Sequence, residues 1–253
     1  MTTDQLQKIR EVIEKCKKCG PEYKGFHLLK LDLLEKCECT IQSEQLAKYY
    51  NVGIPNKYIG MTWEDFVYKI PKNIYTYIKK IDYWINQGVG LYFHGPNGSG
   101  KTFLLAQMAK YISNSGYKVK FFKLDKIVSA TIKDDQEFLT QVREADVICI
   151  DEITKISKKR TQDSLMSFSE VLYDTLLRDG SNEHQVVFCT SNISLDELEE
   201  IHGKHIKSLF NEMVIPTEVK NPDFRKKISN QYRQEFELNA EKEEAFEEET
   251  KED

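Results

Sequence analysis

The run GLYFH-GPNGSGKT-FLLAQMAKYI, residues 90–112, holds three elements in order: a short apolar stretch, a glycine-rich loop, and an amphipathic helical pattern. Its middle, Gly95-Pro96-Asn97-Gly98-Ser99-Gly100-Lys101-Thr102, fits G-x-x-x-x-G-K-[ST] without a gap. Glycines let such a loop curl so that several backbone N–H groups point inward at phosphate oxygens. The helix that opens at Lys101 adds the positive end of its dipole. Lys101 supplies charge to the β- and γ-phosphates, and Thr102 offers a hydroxyl to Mg²⁺. A triphosphate site between a strand and a helix is therefore expected here, with ATP and magnesium as its cofactors.

Downstream, apolar runs alternate with helical patterns. Strands are predicted at 118–124, 146–150, 185–190 and 214–219, and helices at 101–115, 134–144, 163–178 and 195–210. That alternation implies an α/β fold with a parallel sheet and crossover helices. The run Val147–Ile150 leads into Asp151 and Glu152, which places two carboxylates at the end of a strand where open α/β sheets bind ligands. Asp151 is expected to hold Mg²⁺ with Thr102, and Glu152 to activate the attacking water. Thr190-Ser191-Asn192 closes the next buried strand, and Asn192 is expected to position that water beside the γ-phosphate.

The chain has 253 residues and a formal net charge of −5. Ten acids against Lys242 and Lys251 make residues 235–253 strongly negative, which leaves residues 1–234 at +3. The acidic total thus reports the tail and does not argue against nucleic acid. No stretch approaches the ~18 apolar residues of a membrane span, and MTTDQLQKIR lacks the apolar core of a secretory signal. A cytoplasmic setting without membrane contact is expected.

Four of the six cysteines cluster near the start: Cys16, Cys19, Cys37 and Cys39. Without a secretory signal, metal is a better reading of C-x2-C…C-x-C than disulfides. Four thiolates suit tetrahedral zinc, Gly20 permits a tight turn after Cys19, and His27 could replace one sulfur. Four free thiols are the alternative. Cys149 and Cys189 sit in apolar runs and read as buried small hydrophobes.

Residues 4–19 and 41–50 read as helices, and NVGIPNKYIG (51–60) as a linker. Residues 63–87 carry two helical patterns separated by Pro71, and 222–234 a terminal helix. The expected division is a zinc-binding docking module at 1–52, an ATPase domain at 53–234, and an acidic disordered tail at 235–253 that serves as spacer or as a mimic of DNA charge. Lys155, Lys158, Lys159 and Arg160 follow the acidic strand and read either as a contact for single-stranded DNA or as a solvated loop, with Phe168 the nearest aromatic.

Together GPNGSGKT, VICIDEI and VVFCTSN resemble the Walker A, Walker B and sensor-1 segments of AAA+ ATPases, specifically the DnaC/DnaI-type replicative helicase loaders and the related IstB-type transposition ATPases. CKKCG…CECT followed by GIPNKY resembles the zinc-bearing N-terminal part of phage and Firmicute-type loaders. Asp223-Phe224-Arg225 resembles the family's D-x-R segment, which makes Arg225 a sensor-2 residue and adds it to Lys101, Glu152 and Asn192 as catalytic.

The resemblance implies a five-stranded core of order 5-1-4-3-2 with a truncated lid. It also implies partnership with a DnaB-type helicase, single-stranded DNA and further copies of the chain, in a bacterial or phage setting. An IstB/TnsC-like transposition helper and a nucleotide-gated adaptor with incidental hydrolysis are the alternatives. One segment departs from the pattern. Where the family carries an arginine finger, this chain reads Gly203-Lys204-His205-Ile206-Lys207-Ser208-Leu209, with Leu209 at the finger position. Lys204, Lys207 and Arg178 are candidate substitutes, and ATP turnover is expected to be slow or partner-stimulated.

Overall fold

In the computed structural model, residues 1–19, 26–28, 34–153, 185–202, 204–225, 229, 233 and 236 are described. The N-terminal part holds α1 (Thr3–Glu14), the antiparallel pair β1 (Phe26–Leu28) and β2 (Leu34–Lys36), and α2 (Glu38–Val52). Helix α1 starts on a capping box: Thr2 accepts from the Gln5 amide, and the Gln5 side chain accepts from the Thr2 amide. It ends before Cys16, earlier than its apolar spacing suggests, because the cysteine loop begins there. Helix α2 starts directly after Cys37, three residues ahead of the predicted start.

The segment read as a linker is packed. After Gly53 closes α2 in the left-handed region, Ile54 is buried and α3 (Asn56–Ile59) forms. A 3₁₀ turn at Trp63–Asp65 follows, then α4 (Lys72–Ile78), which starts at Pro71, and α5 (Ile81–Asn86).

The five apolar runs become β3 (Gly90–His94), β4 (Val119–Lys123), β5 (Val147–Asp151), β6 (Val186–Ser191) and β7 (Val214–Glu218). They form one parallel sheet of order β4-β5-β6-β3-β7. Counted along the chain within this sheet, that is 5-1-4-3-2, the order the family resemblance implies. Buried strands of this kind read as continuous apolar runs because helices cover both faces. On one side Ile148, Ile150, Val187 and Cys189 meet α7 (Leu124–Ile132), α8 (Gln136–Arg143), α9 (Leu195–His202) and α10 (Lys204–Met213). On the other, Val147, Cys149, Val186 and Phe188 meet α6 (Lys101–Asn114), α4 and α5. The alternation along each strand is the two-residue period of side chains in a sheet. Cys149 and Cys189 are both fully buried, as expected of small hydrophobes.

No helix of the described residues is long and apolar enough to cross a membrane. The helix expected at 163–178, the acidic tail, and nearly all of the chain after Arg225 where the lid was expected lie outside the described residues.

Candidate functional site

The carboxyl ends of β3, β5 and β6 converge on a cleft that is open to solvent. Lys101, Thr102, Glu152, Asn192 and Arg225 all line it, so residues spread over 125 positions of sequence meet at one place. The loop between β3 and α6 takes backbone shapes that glycine permits. Gly98 has φ +74° and Gly100 φ +95°, and a side chain on Gly98 would collide with the carboxylate of Asp223.

The C-terminal segment grips this loop from outside. The Phe224 amide donates to the Gly98 carbonyl at 3.0 Å, and Asn221 Nδ2 donates to the Ser99 carbonyl at 3.1 Å. The Asp223 carboxylate accepts from the Arg225 amide at 2.9 Å, which sets the direction of the chain at that arginine.

Lys101 is buried and its ammonium donates to the Gly95 and Pro96 carbonyls, both at 2.7 Å. Burial pulls its pKa down to about 8, against the opposing field of Asp151. A triphosphate entering the loop would give this cation an anionic partner in place of two neutral ones.

Thr102 and Asp151 supply hard oxygen donors of the type magnesium prefers. Thr102 Oγ1 donates to Asp151 Oδ1 at 2.9 Å. The same carboxylate oxygen accepts from Thr190 Oγ1 at 2.7 Å. Burial pushes the Asp151 carboxyl above its ordinary range, and the two hydroxyls work in the other direction. Mg²⁺ at these oxygens would neutralise phosphate charge.

Glu152 stands at the end of the strand with φ +60°, a conformation uncommon for a residue with a side chain. Thr190 holds it there. Its Oγ1 accepts from the Glu152 amide at 2.8 Å, and its carbonyl accepts from the Ile153 amide at 3.0 Å. Thr190 thus fixes both acidic residues, a role not visible in a strand-end Thr-Ser-Asn.

The remaining wall of the cleft comes from a segment that sequence reasoning left without a role. Tyr58, Met61, Phe66, Val67 and Tyr68 line it together with Phe224. Phe66 stacks on Phe103 with ring centroids 5.2 Å apart, and Tyr68 meets Phe224 edge-on at 6.2 Å. Beside a phosphate loop, such a wall suits a planar, apolar-faced ring such as a nucleobase. The signal available in the sequence was the density of aromatics in a stretch punctuated by glycine and proline.

A second cluster lies in the N-terminal part. The sulfurs of Cys16, Cys19, Cys37 and Cys39 all lie within 4.8 Å of one another. Cys16 and Cys37 are 3.7 Å apart, and Cys19 and Cys39 3.8 Å. Sulfurs on a zinc tetrahedron with ~2.3 Å bonds are separated by about 3.8 Å, so the set could hold zinc. The Lys18 amide donates to Cys16 Sγ at 3.4 Å. Amides from this turn and from Cys19 draw the Cys16 thiol down to about 6, whereas burial pushes Cys39 up to about 12. Cys37 is the residue that precedes the first turn of α2. The side chain of His27, the alternative ligand, lies outside the described residues.

Of the candidate finger substitutes, Lys207 is committed elsewhere: its ammonium pairs with Glu199 at 2.6 Å and Asp196 at 2.9 Å. Arg178 and the basic stretch Lys155, Lys158, Lys159 and Arg160 lie outside the described residues, as does Phe168.

Residues 91–210 match the family described as "ATPase family associated with various cellular activities (AAA)". The core of this chain is thus similar to AAA ATPase domains. Over 231 residues the chain is 24% identical to the replicative helicase loader DnaI of Bacillus subtilis (strain 168), covering 79% of this chain and 72% of that protein. It is 35% identical over 92 residues to the chromosomal replication initiator protein DnaA of Thermoanaerobacter sp. (strain X514), a match that takes 33% of this chain and only 21% of the initiator. A crystal structure of DnaI shares the fold, with a TM-score of 0.50 at 18% identity, covering 70% of this chain and 98% of that one.

Proposed function

We propose that the chain is an ATP-dependent helicase loader acting in the initiation of DNA replication. In this reading it binds ATP–Mg²⁺ in the cleft around Lys101 and places a DnaB-type hexameric helicase on single-stranded DNA. The observation that supports it best is the meeting of Lys101, Thr102, Glu152, Asn192 and Arg225 in one cleft, in a chain similar over most of its length to a replicative helicase loader. Gly95 to Thr102 cradle the triphosphate, Asp151 and Thr102 hold magnesium, and Glu152 activates water that Asn192 positions. Arg225 reaches the nucleotide from the segment that grips the loop. The four cysteines hold zinc and shape the N-terminal part as a docking module for the helicase.

Hydrolysis in this scheme is slow or partner-stimulated. Leu209 stands at the finger position, and Lys207 is held by Asp196 and Glu199. With Lys207 so held, Lys204, Arg178, a neighbouring copy or the partner would supply the cation that stabilises transition-state charge. This specifically favours a second version of the same reading, in which ATP acts as a switch and its hydrolysis is secondary.

Two measurements test the proposal. Calorimetry with ATP–Mg²⁺ on the intact chain should show binding that Lys101→Ala abolishes. Co-purification from the native cell with mass spectrometry should recover a replicative helicase. Recovery of a transposase instead would move the chain to the transposition helpers. Full function of Glu152→Gln would select the switch, and absence of ATP binding would end both versions.

A further inference from the structure

Lys110 lies on α6, nine residues beyond Lys101 and so about 14 Å further along the helix axis at ~1.5 Å per residue. It is too far from the loop to touch a phosphate. It is nonetheless buried, with an exposure of 6%. Its ammonium donates to three carbonyls: Tyr58 at 2.5 Å, Ile59 at 2.7 Å and Met61 at 2.6 Å. These are the carbonyls at the end of the one-turn helix α3 and just past it, and that of Tyr58 also accepts from the Met61 amide at 3.3 Å. All three of the lysine's donors are used.

The ammonium also lies over the face of Tyr49 on α2, 5.2 Å from the ring centre. One turn back along α6, Gln107 Nε2 donates to the Met61 carbonyl at 3.1 Å. No carboxylate pairs with Lys110 among the described residues. The cation is spent on shaping a loop.

Two of the three residues so held, Tyr58 and Met61, line the aromatic side of the cleft. Because α6 begins at the phosphate loop, the same helix carries Lys101 at one end and the anchor of the ring-binding wall further along. We infer that Lys110 is a positioning residue for the base of the bound nucleotide: it fixes the 58–61 segment on the phosphate-binding helix, so that the wall for the ring sits at a set distance from the loop for the triphosphate. This rests on reading the cleft as a nucleotide site.

The experiment compares binding of MgATP and of magnesium tripolyphosphate, which lacks a base, by calorimetry on the full chain. Wild type should bind MgATP more tightly than tripolyphosphate. Lys110→Met should lose about tenfold in ATP affinity, as expected for removing charge-assisted bonds, while tripolyphosphate affinity stays at the wild-type value. A merely destabilised protein would lose both ligands together. Lys110→Met keeping the wild-type preference for ATP overturns the inference. Should circular dichroism show that Lys110→Met does not fold, Gln107→Leu decides. It removes one bond to the same loop, and the ATP preference should fall about threefold; an unchanged preference overturns the inference. A wild type that binds tripolyphosphate as tightly as ATP defeats the base-binding wall itself, whereas a wild type that binds neither defeats the nucleotide reading. Those two results are distinguishable from a failure of Lys110 alone.

Discussion

Replacing Thr190 with valine removes one oxygen and keeps the side-chain shape at a position with 1% exposure. That oxygen donates to Asp151 at 2.7 Å and accepts from the Glu152 amide at 2.8 Å. A hydrogen bond to a charged acceptor is worth ~1.5–3 kcal/mol, and a stranded amide costs ~1–3 kcal/mol. Thr102 still serves the same carboxylate oxygen, and the two losses are not additive. Thr190→Val should therefore destabilise the chain by about 2–4 kcal/mol in urea unfolding followed by circular dichroism.

The loss has a pH signature. The Thr190 hydroxyl lowers the pKa of Asp151 against burial, which raises it. Valine therefore raises the folded-state pKa further, and stability declines as pH rises from the ordinary carboxylate value through that folded pKa. The part of the cost that comes from Asp151 should vanish in acid, where that carboxyl is protonated in both states, and the part from the stranded Glu152 amide should remain. With its amide released, Glu152 can leave φ +60°, and ATP hydrolysis should drop by about a hundredfold, the scale of a misplaced general base. Thr190→Ser keeps the hydroxyl and should preserve both properties. Wild-type stability and turnover in Thr190→Val, or equal damage in Thr190→Ser, would refute the clamp.

Three further outcomes are expected. Lys101 has a pKa of about 8 without a phosphate partner, and phosphate must raise it, so binding takes up a proton above that pH. Magnesium tripolyphosphate affinity, followed by calorimetry, should be flat up to pH 8 and then fall about tenfold per unit; the same depressed pKa makes folding stability rise from pH 8 towards the ordinary lysine value, because the unfolded chain still holds the proton. Gly98→Ala places a Cβ 1.7 Å from Asp223 Oδ1 at φ +74°, at a conformational cost of ~1–2 kcal/mol before the clash is counted. Calorimetry should show ATP binding weakened at least tenfold, and wild-type affinity would count against the described grip. Plasma emission spectroscopy should find one zinc per chain, absent in Cys16→Ser. Because no residue of α1 is buried, chelation should reduce helix content while sparing ATP binding.

Much of the ATPase core could be read from residues alone. GLYFH, VICI and VVFC are unbroken apolar runs because their strands are covered on both faces, and the glycine loop and Asp151-Glu152 follow two of them directly. Helix α7 escaped notice because it starts at Leu124, immediately after a strand that ends at Lys123, with no turn residue or side-chain cap between them. The aromatic wall was hidden for a different reason. Residues 51–60 have the punctuation of a linker and 63–87 read as helical, and the carbonyls of Tyr58, Ile59 and Met61 are held from a distance by Lys110 and Gln107. Thr190 suits a strand by propensity, and only the fold shows that its hydroxyl reaches the Asp151 carboxylate and the Glu152 amide. The cysteine spacing suggested a metal, but only the fold brings residues 16–19 and 37–39 together.

Asn221 and Phe224 rest on the backbone of Ser99 and Gly98, and Asp223 directs the chain at Arg225. The segment 221–225 is thereby tethered to the curl of the phosphate loop. A displacement of this segment would therefore act on the phosphate loop through one hydrogen bond at Gly98 and one at Ser99. That link between the late segment and the loop bypasses the sheet altogether.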